Sequence, residues 1–122
     1  MDEATFNQLV VEALDGLPPE FAAALDNVEV LVEERPQPHH RRAVGLKPWQ
    51  TLYGLYQGVP LPARTHAYNL VAPDTITIFR EPLLRDFAGP EQLRTQIRRT
   101  VMHEIAHFFG IDDDRLREIG AY

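Results

Sequence analysis

Residues 101 to 114 read "VMHEIAHFFGIDDD" and gather the side chains best suited to chemistry. His103 and His107 are four residues apart. On a helix both imidazoles then lie on one face, about a turn apart, within reach of a single metal ion. Glu104 is rotated about 100° from His103 around the helix axis, too far to be a comfortable third ligand but well placed beside a water on that ion. Two nitrogen donors with an adjacent carboxylate base form the arrangement used for zinc-assisted hydrolysis. Zinc lowers the pKa of its bound water to roughly 7, and Glu104 would take the proton as that water attacks a carbonyl. A catalytic zinc also needs a third protein ligand and one open position. Gly110 permits a left-handed turn that ends the helix and brings the chain back toward the ion. Asp113 or Asp112 could then supply the third ligand, and Asp112 is the better N-cap for a following helix. A reading without metal also exists, because acids at 112 to 114 suit a helix start by themselves.

The helix that must carry these groups has the strongest pattern in the chain. Pro90 and Glu91 suit its first turn, and Leu93, Ile97, Val101, Ile105 and Phe108 or Phe109 form one apolar stripe, with Thr100, His103 and His107 off it. Upstream, Phe6, Leu9, Val10, Ala13 and Leu14 recur at helical spacing until "DGLPPE". "PEFAAALDNV" predicts a second short helix opened by Pro19. "VEVLVEE" reads as a strand through Val28, Val30 and Val32, and "DTITIFRE" as another, with Ile76 and Ile78 on one face. Between them, "RPQPHHRRAVGLKPW" to "GVPLPART" is rich in Pro and Gly and predicts a long surface segment, with at most a short hairpin around "TLYGLYQG". "PLLRDFAG" predicts one or two helical turns, and "DDDRLREIG" a short capped helix. The expected class is α+β, a single domain spanning residues 1–122.

Bulk properties narrow the function. At 122 residues, with 44% hydrophobic and 25% charged residues, the chain has ordinary globular usage. Its net charge of −6 disfavours nucleic acid as a partner. No apolar run is long enough to span a bilayer, and the acidic N-terminus lacks the features of a signal peptide, so no membrane partner and a cytoplasmic location are expected. The chain has no cysteine, so any metal must be held by nitrogen and oxygen.

The segments "LVEERP", "LYGLYQGVPL", "PDTITIFREPLL" and "TVMHEIAHFFGIDDDRLREIG" resemble, in the same order, those of the minimal zincin-like metallopeptidases, small bacterial proteins. The resemblance covers most of the chain from about Val28 onward. It implies a zincin-type α+β fold with a short β-sheet, zinc held by His103, His107 and Asp113, and Glu104 as general base. Metzincins carry H-E-x-x-H-x-x-G-x-x-H, and this chain is similar to that pattern up to its final Asp. Their downstream methionine turn is not expected here, where only "DRLREIGAY" follows Asp113, and Met102 reads as a core residue.

The expected function is a zinc-dependent peptidase acting on a peptide or protein substrate. The alternative is a zinc-stabilised peptide- or protein-binding module with little or no turnover. In zincin folds an edge strand before the active helix pairs with extended substrate, and "TITIF" holds that place in the order, but it reads equally well as a plain core strand. Tyr53 and Tyr56, with Gly54 and Gly58 for flexibility, could form a lid, line the cleft or pack on the core. His39 and His40 read as part of a solvated loop, and His66 and Tyr122 as weak candidates for stabilising an oxyanion.

Overall fold

The first helix, α1 (Glu3–Asp15), starts where the Asp2 carboxylate accepts the Thr5 amide at 2.8 Å, and it buries Phe6, Leu9, Val10 and Ala13. This computed structural model describes residues 1–58 and 74–118, the side chains of Leu116 and Arg117 excepted. The elements that follow are α2 (Pro19–Ala24), β1 (Val28–Glu33), α3 (Pro38–Ala43), β2 (Gly54–Gln57), β3 (Asp74–Phe79), α4 (Arg80–Asp86), α5 (Pro90–Phe108) and α6 (Asp113–Glu118). Helices and a small sheet give the α+β class that the patterning predicts. No helix among the described residues is long and apolar enough to cross a membrane.

The three strands lie in the order β1-β3-β2. β3 runs parallel to β1, with Val28 opposite Asp74, and antiparallel to β2, with Gly54 opposite Ile78. "TITIF" is therefore the central strand among the described residues, which upholds the core-strand reading and corrects the substrate-binding edge. Its two faces explain why: Ile76 and Ile78 are fully buried on one side, and Thr77 and Phe79 are buried on the other. Among the described residues, β1 and β2 are the outer strands. "TLYGLYQG" supplies β2, whose partner among the described residues is β3.

"PHHRR" is also corrected, from solvated loop to helix α3. Pro38 stands at its first position, and His40 Nδ1 accepts the Gln37 amide at 2.9 Å. The His40 ring is buried edge-on against Phe79. Burial, and then the neighbouring His39, hold its pKa below the usual range, which keeps it neutral and able to accept that bond.

The core forms where α5 packs across α1, α4 and the sheet. The α5 stripe is buried as expected at Leu93, Ile97, Val101, Ile105 and Phe108. Each such side chain contributes roughly 1.5–3 kcal/mol by leaving water. Two α5 residues differ from expectation. Thr100 is buried although it stands off the stripe, because β2 comes down on it. Met102 is 41% exposed rather than in the core.

Candidate metal centre

The end of α5 brings the site together. Phe109 caps the helix and Gly110 adopts φ 81°, the left-handed turn that glycine makes at little cost. The Ile111 amide donates to Ala106 O, and the Gly110 amide to His107 O, both at 2.9 Å. This paired closure redirects the chain sharply. Asp112 Oδ1 then accepts the Arg115 amide at 2.9 Å, so Asp112 is occupied as the cap of α6. Asp113 is thereby turned back toward α5. Its Oδ1 lies 2.8 Å from His107 Nε2 and 3.0 Å from His103 Nε2. One carboxylate oxygen thus meets the same nitrogen of both imidazoles.

Glu104 lies on the inner flank of this group, its side chain only 7% exposed. Its Oε1 accepts the Tyr56 amide at 2.8 Å and lies 3.2 Å from His107 Nδ1. The β2 register accounts for the first contact. Tyr53 O accepts the Phe79 amide, so residues 53, 55 and 57 direct their backbone groups to β3, while Gly54 and Tyr56 direct theirs away from it. The Tyr56 side chain is held by a 2.5 Å hydrogen bond to Asp74 Oδ2 and by edge contact with Phe108. Gly54 makes the close approach possible. A Cβ there would lie 2.7 Å from Thr100 Cγ2 and 3.3 Å from Glu104 Cγ. Its role is room rather than the flexibility expected of it. Sequence reasoning did not find the Tyr56 amide, since no residue type signals a backbone donor.

The electrostatics follow from these contacts. The hydrogen bond to Glu104 raises the His107 pKa to about 9, against the opposing effect of burial and with further help from Asp113. Burial pushes the Asp113 carboxyl upward, but its contacts with His107 and His103 outweigh that and hold it below the usual range. His107 without metal is therefore an imidazolium between two carboxylates.

His103, Glu104 and His107 offer donor atoms within 4.8 Å of one another. Glu104, however, faces Nδ1 of His107 and is tied to β2, whereas Asp113 faces Nε2 of both histidines. The donor set of His103, His107 and Asp113 fits zinc in chemical type, two nitrogens and one oxygen. Tetrahedral zinc at about 2.1 Å from each ligand would separate them by roughly 3.4 Å, so the Asp113 oxygen would need to part from the two nitrogens by about half an ångström.

A cleft of about 750 Å³ opens beside the group, between Thr51–Gly54 on one wall and Gln96, Arg99, Thr100, His103 and Glu104 of α5 on the other. Tyr53 lines it but is not a free lid. Its hydroxyl donates to Asp86 Oδ2 at 2.6 Å and its ring packs on Phe87. Burial and that bond raise its pKa to about 12, so it stays protonated. His39 and His40 lie on α3, away from the cleft. His66 and Tyr122 fall outside the described residues.

Comparison with known proteins agrees with this fold. The sequence profile of the zincin-like metallopeptidases matches residues 25–121. A solved structure of a conserved hypothetical protein from Thermus thermophilus is similar, with a TM-score of 0.60 over 89% of this chain and 94% of that one. At 19% identity, that likeness speaks for the fold alone. No curated protein matches the chain.

Proposed function

The chain belongs to the zincin-like metallopeptidase family, and on that premise we propose that it is a zinc-dependent peptidase. His103, His107 and Asp113 hold the ion, and Glu104 is the general base. The observation that carries this reading is the meeting of Asp113 Oδ1 with Nε2 of both histidines, beside a buried Glu104. When bound, zinc polarises the substrate carbonyl and acidifies an attacking water.

The remaining work falls to the chain. The Tyr56 amide fixes Glu104 by Oε1, which leaves the other oxygen to accept the proton of the attacking water and pass it to the leaving amine. His107 gives up its own proton before it can serve as a ligand. The outward backbone groups of Gly54 offer an extended peptide a place to pair along β2, beside the cleft.

The test is metal analysis of the purified protein together with peptide cleavage mapped by mass spectrometry. Glu104→Gln should keep its zinc and lose about 10²–10⁴-fold in rate, the usual contribution of a positioned general base. Cleavage at the parental rate by this variant rules Glu104 out as the base. A second reading, a zinc-stabilised binding module, is favoured by one observation: Glu104 Oε1 is already engaged by both Tyr56 and His107. It expects zinc and peptide binding with no turnover.

A further inference from the structure

The cleft carries positive charge in an acidic protein. Arg35, Arg80, Arg85, Arg94 and Arg115 each meet a carboxylate. Arg98 and Arg99, which line the cleft, meet none among the described residues. With a net charge of −6 the chain has acids to spare, yet these two guanidiniums stand open at the cleft. Their placement beside His103 and Glu104 gives them a defined relation to the bond that would be attacked.

Arg99 is four residues before His103, on the same face of α5 and about 6 Å nearer its N-terminus. β2 runs in the same sense as α5. Gly54 abuts Thr100 and Glu104, and Tyr56 touches Phe108 further along. A peptide pairing antiparallel to β2, the geometry β2 already uses with β3, runs from the Gln57 end toward Thr51. It passes His103 and Glu104 first and Arg99 next. The residue reaching Arg99 is therefore the one on the C-terminal side of the attacked bond.

The peptide does not have to end there. A second groove, bordered by Arg41, Trp49 and Arg85, shares the lining residues Thr51 and Leu52 with the cleft, so a longer peptide has a surface to follow beyond it. A side-chain carboxylate, rather than a chain terminus, is what this open path presents to Arg99. Resting on the peptidase reading above, we infer that Arg99, with Arg98 beside it, selects substrates bearing Asp or Glu directly after the scissile bond.

The test uses the zinc-loaded protein and acetylated, amidated peptides identical except for Glu, Gln or Lys at one central position. The bond before Glu should be cut roughly tenfold faster, as kcat/KM, than the bond before Lys, with Gln between, because like charges repel at the rim and opposite charges attract. Arg99→Gln should flatten that order and Arg99→Glu invert it, with zinc content checked in each. An order unchanged in Arg99→Glu overturns the inference. So does a free-acid peptide ending in Gln at that position that is cut as fast as the amidated Glu peptide, since it assigns the carboxylate to the chain end. If no peptide is cut, the hydrolytic reading fails by itself, and selection is read instead from fluorescence anisotropy of labelled Glu and Lys peptides on zinc-loaded Glu104→Gln protein. Tighter Glu binding that Arg99→Glu reverses upholds the inference, and equal affinities overturn it.

Discussion

His107 has both ring nitrogens committed, Nδ1 toward Glu104 and Nε2 toward Asp113. Its pKa of about 9 makes a clear statement about the metal-free protein. A histidine whose folded pKa is raised above its unfolded 6.5 adds stability that is complete below that value and is lost as pH rises through about 9. In chelator, the unfolding temperature should therefore fall between pH 6.5 and 9, and Asp113→Ala should shrink that fall. A flat profile across the interval means that His107 is not charged in the folded state. The same proton must leave when zinc enters, so zinc uptake below about pH 9 should release it. Calorimetry in buffers of different ionisation enthalpy reads that release directly.

The contact between β2 and α5 does for Glu104 what Asp113 does for the histidines. Gly54→Ala places a methyl group 2.7 Å from Thr100 Cγ2. It should cost about 1–3 kcal/mol by overpacking. Because the same Cβ presses on Glu104, peptide cleavage should fall by more than the loss of folded protein explains. A variant losing activity only in proportion to folding would show that this contact is structural alone. Pattern revealed β1 and β3 as strands but not their order in the sheet. β3 has both faces covered, so its Thr77 and Phe79 are as buried as its isoleucines, and period-two alternation does not tell a central strand from an edge. α3 was hidden for another reason, since its helix rests on Pro38, on the Gln37–His40 bond and on the Phe79 ring, and periodicity in six residues is too short to read.

For the molecule as a whole, the contacts of Asp113 with His103 and His107 tie the end of α5 to the start of α6, while α5 is itself the main packing partner of α1 and the sheet. Zinc bound to the folded state alone stabilises by mass action, about 2.7 kcal/mol at roughly a hundred times its dissociation constant. In a domain of this size that should raise the unfolding temperature by several degrees. Differential scanning calorimetry with zinc and with chelator checks this. An unfolding temperature indifferent to zinc, in protein that binds no zinc, would leave the acids at 112 to 114 as a helix start and nothing more.

The shared face of His103 and His107 on α5 and the turn after it could be read directly from residues 103 to 113. A helix repeat of about 3.6 residues puts His103 and His107 together, and a glycine in left-handed conformation needs no partner elsewhere to be recognised. Local logic marks Asp112 as the cap of α6, whereas Asp113 is preferred as a ligand for its place in the family pattern. The edge strand, the anchor of Glu104 and the wall of the cleft lay beyond such reasoning. Tyr56 and Glu104 are 48 residues apart, and their bond exists only because β2 pairs with β3 and α5 packs on both. Neither residue's type encodes that meeting. It is decided by strand order and by the missing Cβ of Gly54, where two distant segments close to within a methyl group's width.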